Sequence, residues 1–187
     1  MPYPSQINAE TILKVARDMI RTNGVEKLSL NKLAAAMGVK APSLYRYYSS
    51  KAVLLRSVNE DTIIRLFSNL NSVLELPISP TDQILEAARR YRHFAHDNAS
   101  VYGMLFTNTI DDLHLDPDTN VRLVLPYQNL MASICGEQNA LAALRGFLAL
   151  MHGFVMLELA EQLRRGGDLT VAYEASVRAY LRGWQET

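Results

Sequence analysis

The sequence predicts an all-α fold, and three observations predict it. Apolar residues recur at spacings of three and four along most of the chain. Helix-capping residues precede these runs and glycines follow them. No alternating β-branched run bounded by turn residues occurs. The expected architecture is an N-terminal unit of three short helices over residues 1–52, joined by a connecting helix to a larger helical domain over residues 53–187.

The first helix rests on Ile12, Val15, Ala16, Met19 and Ile20, with Asn8 as its cap and Gly24 as its stop. After a turn through Val25 to Leu28, Ser29 caps a second helix with the stripe Leu30, Leu33, Ala34 and Met37, which Gly38 ends. Pro42 opens the third, over Ser43 to Tyr48, held by Leu44 and Tyr48. Ser49-Ser50 caps a fourth helix that runs through Val53, Leu54, Val58, Thr62 and Leu66 to about Leu74. Pro77 and Pro80 then mark an internal boundary.

Further helices are expected over Ile84 to His96, Val101 to Phe106, Val121 to Cys135 (with Pro126 as a kink or a fresh start) and Asn139 to Leu163. Gly166-Gly167 ends the long one, and Asp168 caps a last helix carrying Leu169, Tyr173, Val177, Tyr180 and Trp184.

Composition narrows the class. Of the 187 residues, 49% are hydrophobic and 20% charged, which fits one ordinary globular domain or two small ones and excludes disorder, collagen and a disulfide scaffold. Cys135 is the lone cysteine, and Met1-Pro2-Tyr3-Pro4 does not open a secretory signal, so a cytoplasmic location is expected. The least charged run, Gly146 to Leu157, spans 12 residues and contains His152. A membrane-spanning helix needs about 20 apolar residues, so none is expected.

Lys plus Arg equals Asp plus Glu at 19 each, but the balance is uneven. Residues 1–60 hold nine basic and four acidic side chains, a net +5, and the remainder is −5. A basic head on an acidic body points the head toward a polyanion.

Two short helices joined at Gly38, the second opening with small residues, have the dimensions of a helix-turn-helix. A helix entering the major groove needs small residues in its first turn, long donors further along and phosphate contacts at its flanks. Ser43, Arg46 and Tyr47 supply these, with Lys40, Ala41 and Pro42 at the helix start, and Lys51 and Ser29 stand at helix N-termini where phosphates bind. Tyr48, four residues after Leu44, belongs to the core, whereas Tyr47 and Arg46 lie off that face.

The segments Gly24-Val25-Glu26-Lys27-Leu28-Ser29, Leu33-Ala34, Gly38-Val39, Leu44-Tyr45-Arg46-Tyr47-Tyr48 and Lys51-Ala52-Val53-Leu54-Leu55 resemble the TetR family of bacterial transcriptional regulators. The likeness covers about Ala9 to Val58 without a gap. It implies that Ser29, Ala41, Ser43, Tyr45, Tyr47 and Lys51 face an operator in double-stranded DNA. It also implies an effector pocket in the body, which makes residues 53–187 a ligand-binding and dimerisation domain. Lys40 and Ala41 stand where many members carry Ser or Thr, and Asn31 where Arg is frequent, so the operator sequence is open. Ser100 to Phe106 with His152-Gly153 looks like a C-terminal subgroup named for a Trp-His-Gly signature whose Trp is absent here.

Between Asn139 and Leu163 the only ionisable residues are Arg145, His152, Glu158 and Glu161, so this helix is expected to be covered on two sides. Gly146, Gly153 and Ala160 recur every seven residues and, with Tyr173, Tyr180 and Trp184, are the expected interface of a twofold homodimer. Tyr91, Phe94, Tyr102, Met104, Phe106, Tyr127, Phe147, Met151, His152 and Phe154 are either core or the lining of an apolar effector pocket.

His114 with Asp111, Asp112, Asp116 and Asp118 lacks the Gly and terminal Glu of a calcium loop and is read as solvated, so no metal or cofactor is expected. Phosphate-loop, nucleophile-elbow and zinc patterns are missing, which leaves enzyme activity without support. Two other readings stay open: a small-molecule binding protein whose helix-turn-helix is only structural, and an α-helical enzyme using His152.

Overall fold

The computed structural model describes residues 7–105 and 116–186. Nine α-helices lie among them: α1 (Ala9–Asn23), α2 (Leu30–Ala36), α3 (Ala41–Tyr45), α4 (Lys51–Asn71), α5 (Pro80–Asp97), α6 (Ala99–Leu105), α7 (Pro117–Cys135), α8 (Glu137–Leu159) and α9 (Leu169–Gln185). A 3₁₀ turn, Val25–Lys27, separates α1 from α2. The all-α expectation holds for the described residues, with short N-terminal helices and a larger C-terminal bundle.

The chain divides into two compact units, one of Met1–Arg65 and Asn98–Leu115, the other of Leu66–Asp97 and Asp116–Thr187. The first unit therefore extends beyond Ala52, and α4 contributes to both. Its core joins Ile12, Ala16 and Ile20 of α1 to Leu33 of α2, Leu44 of α3 and Leu54 and Val58 of α4. Val101 and Met104 of α6 complete it, which is why a segment separated in sequence from the first four helices belongs here. Arg17 of α1 donates to Asp61 of α4, and Asp61 also takes the Arg65 Nε at 2.9 Å. Burial is the main cause that lowers the Arg17 guanidinium from its ordinary value, with the neighbouring Arg65 charge next.

In the second unit α5, α7, α8 and α9 pack together around Ile84, Ala88, Met131, Ala143, Val155, Val177 and Leu181. Pro77 and Pro80 do not separate units. They lie in the turn before α5, where Ser79 accepts from the Asp82 N–H at 3.1 Å and the buried Gln83 amide donates to the Leu74 and Leu76 carbonyls at 3.1 and 3.0 Å. Pro80 is the first residue of α5, where its missing N–H costs nothing. Pro126 neither ends nor restarts α7; it sits inside the helix, and the Arg122 carbonyl loses its intrahelical donor.

Sequence periodicity carried the long helix to Leu163, but α8 stops at Leu159. Glu161 adopts φ 54°, its N–H donates to the Glu158 carbonyl at 2.9 Å, and Gln162 N–H donates to Leu157 at 2.8 Å. This is a Schellman ending without glycine. By length and a mean hydropathy of 1.7, α8 could cross a membrane, a property the charge-free run alone did not reveal. Its apolarity has two sides: Ala143, Phe147, Met151 and Val155 are buried in the unit, while Leu141, Leu148 and Leu157 are 42–48% exposed.

Candidate nucleic-acid interface

The helix-turn-helix is assembled by local hydrogen bonds. The Ser29 hydroxyl accepts from the Lys32 N–H at 3.2 Å and starts α2. At its other end Gly38 takes φ 67°, a left-handed conformation suited to glycine, and donates to the Ala35 carbonyl at 3.1 Å while Val39 donates to Ala34 at 2.9 Å. That reversal ends α2 and turns the chain into α3. Leu44 is wholly buried, and both Tyr47 and Tyr48 N–H groups donate to its carbonyl at 2.9 Å, so the chain beyond α3 stays tightly wound.

Burying Leu44 and Tyr48 leaves the other side of the helix outward. Tyr45 is 48% and Tyr47 45% exposed, and Lys40, Pro42 and Arg46 are exposed too. Ala41 and Ser43 are half-buried. The second helix of the pair thus presents small groups at its start and Tyr45, Arg46 and Tyr47 at its end. Burial pushes the Tyr48 hydroxyl above its ordinary value, in keeping with a core position.

Two side chains have protein partners that sequence reasoning missed. The Tyr47 hydroxyl donates to the Ile7 carbonyl at 2.8 Å, forty residues away. Lys51, at the start of α4, places its ammonium 3.5 Å from the Glu26 carbonyl. Next to it Ser50 accepts from the Val53 N–H at 3.2 Å and caps α4. No local pattern announces contacts over such separations.

The residues expected to line an effector pocket fall in different units. Tyr102 and Met104 on α6 are buried in the first, and Met104 is part of its core. Tyr91, Tyr127, Phe147 and Met151 are buried in the second, where Phe94, Phe154 and His152 are half-buried. Phe106 lies outside the described residues, as do Asp111, Asp112 and His114. Tyr127 meets Phe67 edge-on at 6.0 Å and lies 3.4 Å from the Asn71 side-chain oxygen. Desolvation holds the His152 imidazole below its ordinary value, favouring the neutral ring. Asp116 accepts from the Thr119 N–H at 3.0 Å and caps α7, and among the described residues no group of acids, histidines and cysteines is arranged to hold a metal.

Part of the expected subunit interface is used inside the subunit. A Cβ added to Gly146 would fall on the Tyr180 hydroxyl, which donates to the Ala143 carbonyl at 2.6 Å, so Gly146 serves the close approach of α9 to α8. Tyr173 is 1% exposed, donates to the Ala88 carbonyl at 3.0 Å and meets Phe154 edge-on, so it belongs to the core rather than to a surface. Gly153 has open space beyond it, Ala160 is exposed and Trp184 is half-buried.

A cleft of about 320 Å³ in the second unit is lined by Arg89, Arg92, His93, His96, Thr170, Tyr173 and Glu174. Its charges are largely matched. Arg89 forks onto Glu174 at 2.7 Å on both oxygens, and Arg92 forks onto Glu158 at 2.8 and 2.5 Å. His96 Nε2 approaches the same Glu158 at 2.9 Å, and Arg92 lies over the Tyr173 ring at 5.8 Å. Hydrogen bonding from Arg92 is the main cause that holds the Glu158 carboxyl below its ordinary value.

Residues 12–58 match the family described as bacterial regulatory proteins, tetR family, and residues 84–180 match a tetracyclin repressor-like C-terminal domain. The chain is 31% identical over 160 residues to the uncharacterized HTH-type transcriptional regulator Rv0681 of Mycobacterium tuberculosis, covering 83% of this chain and 72% of that protein. It is 28% identical to the uncharacterized HTH-type transcriptional regulator YobS of Bacillus subtilis, covering 95% and 92%. Its fold is similar to that of a protein of unknown function from Rhodococcus sp. RHA1, with a TM-score of 0.77, 22% identity and 99% of each chain covered.

Proposed function

This chain belongs to the tetR family of bacterial regulatory proteins, and from that membership we propose that it is a dimeric, ligand-responsive repressor of transcription acting in the cytoplasm. Residues 1–52 carry the DNA-binding function, and residues 53–187 carry ligand binding and dimerisation. The observation that supports this best is the exposure of Tyr45, Arg46 and Tyr47 at the end of α3, on a helix-turn-helix whose buried face is fully occupied.

In this reading α3 enters the major groove, Ala41, Pro42 and Ser43 approach the bases, and Arg46 reads a base edge or holds a phosphate. Ser29, Lys40 and Lys51 meet the backbone, Ser29 with the hydroxyl proton its cap does not use. A second copy docks on the apolar side of α8, at Leu141, Leu148, Gly153, Leu157 and Ala160, flanked by Trp184. That partner, and not lipid, accounts for the hydropathy of α8.

An apolar or aromatic effector is received among Tyr91, Phe94, Tyr127, Phe147, Met151 and His152 of the second unit. The likeness of Ser100 to Phe106 and His152-Gly153, without the signature Trp, supports grouping this body with the Trp-His-Gly subgroup. The effector acts by binding one spacing of the two recognition helices better than the other, and about 5.5 kcal/mol of such preference carries the population from 99:1 to 1:99. No cofactor takes part.

The test is selection of binding sites from random duplex DNA at a fixed salt concentration. A palindrome whose half-sites are about 34–36 Å apart, or a multiple of that, is the expected product. Enrichment of no sequence by folded, dimeric protein overturns the proposal.

A further inference from the structure

The two exposed tyrosines at the end of α3 are not equivalent. A phenolic hydroxyl has one proton to give, and a phosphate oxygen only accepts. Tyr47 already gives its proton to the Ile7 carbonyl at 2.8 Å, whereas the Tyr45 hydroxyl makes no hydrogen bond among the described residues. While the bond to Ile7 stands, Tyr47 cannot donate to DNA.

That bond ties together two parts of the interface. Ile7 packs against the core of the first unit, and the next residue, Asn8, starts α1 by accepting from the Thr11 N–H at 2.8 Å. Tyr47 is held by its own N–H to Leu44, the buried residue of α3. The hydroxyl therefore links the start of α1 to the far end of α3, a join that the backbone of neither helix provides.

Resting on the DNA-binding reading above, we infer that Tyr47 is a positioning residue, which fixes the end of the recognition helix through the Ile7 carbonyl, and that Tyr45 supplies the tyrosine hydroxyl that meets a phosphate. The ring of Tyr47 remains exposed beside Arg46 and packs near the DNA without hydrogen bonding to it.

The experiment uses the full chain and the duplex recovered by selection, with each phosphate in turn replaced by an uncharged methylphosphonate. Affinities of wild type, Tyr45→Phe and Tyr47→Phe are compared, after thermal melts establish that all are folded at the assay temperature. Tyr47→Phe is expected to bind every duplex about fivefold more weakly, the equivalent of one ordinary hydrogen bond, with no dependence on which phosphate is neutral. Tyr45→Phe is expected to lose the same order of affinity on the natural duplex, and to match wild type on one particular substituted duplex.

A single phosphate whose replacement abolishes the difference between Tyr47→Phe and wild type assigns that hydroxyl to DNA and overturns the inference. Unchanged affinity of Tyr47→Phe on all duplexes overturns it as well, since the join would then have no bearing on binding. Failure of wild type to select any duplex refutes the DNA-binding reading itself, a result distinguishable from both.

Discussion

Gly146 is the position where the cost of a single methyl group follows most directly from the packing. A Cβ there meets the Tyr180 hydroxyl and comes within 3.2 and 3.3 Å of ring atoms Cζ and Cε2. The hydroxyl cannot stay beside that Cβ, and moving it breaks its 2.6 Å bond to the Ala143 carbonyl. Overpacking of this kind costs about 1–3 kcal/mol, and the displaced hydrogen bond adds about 1 kcal/mol. The better helix propensity of alanine returns about 1 kcal/mol. Gly146→Ala should thus destabilise by about 1–3 kcal/mol, and each kcal/mol lowers the melting temperature of a chain this size by roughly 2–4 °C. Tyr180→Phe removes the colliding atom and leaves contacts that a few tenths of an ångström relieve. The double variant should therefore be more stable than the sum of the single effects predicts, by about 1 kcal/mol. Thermal and urea melts at one fixed protein concentration measure this, since the proposed dimerisation would make apparent stability concentration-dependent. A neutral or stabilising Gly146→Ala, or strict additivity with Tyr180→Phe, would refute the reasoning.

Other expectations follow from the same contacts. Lys51→Ala should weaken DNA binding across all sequences and reduce the salt slope by about one per half-site, measured by titration at several salt concentrations. Arg46→Ala should relax sequence preference if its guanidinium reads a base and weaken binding uniformly if it holds a phosphate; unchanged binding removes it from the interface. Leu148→Arg should leave the helical spectrum intact and convert dimer to monomer in sedimentation, because it sets a charge on the exposed side of α8. Glu158→Gln should flatten the acid limb of the stability curve: the carboxylate's folded value is depressed, so its contribution is full above the unfolded value and lost as pH falls through the folded one. His152 should add to the same limb in wild type, because a base with a depressed folded value is penalised as pH falls and protonates the unfolded chain first.

The parts of the fold legible in the sequence are those governed by neighbours three to five residues apart. Asn8, Ser29 and Asp168 accept from N–H groups in the first turns of α1, α2 and α9, and Gly24 and Gly38 end the helices they were expected to end. The division between Tyr48, buried, and Arg46 and Tyr47, exposed, followed from the helical period, whereas the outward place of Tyr45 came only from the family resemblance. What escaped depended on distant partners. Glu158 was visible as one of four ionisable residues in an apolar helix, but its fork to Arg92 spans 66 positions. Gly146 and Tyr173 had the right character for a contact between helices, yet sequence could not tell an intramolecular neighbour from a second copy. The end of α8 was misplaced because the left-handed residue that closes it is Glu161, where glycine is the usual signal.

That self-terminating helix leaves Gly166-Gly167 without the task of stopping it. Ala160 to Gln162 complete the ending, Arg164 donates to the Gln162 and Glu161 carbonyls, and Asp168 begins α9 independently. Between them Gly166 and Gly167 are exposed and carry no hydrogen bond among the described residues. Lengthening a flexible loop costs only about 0.6 kcal/mol for each doubling. A short insert between these glycines, such as a tetracysteine tag for a fluorophore, can therefore be carried without disturbing either helix, giving a reporter on the body that leaves α3 and its tyrosines untouched.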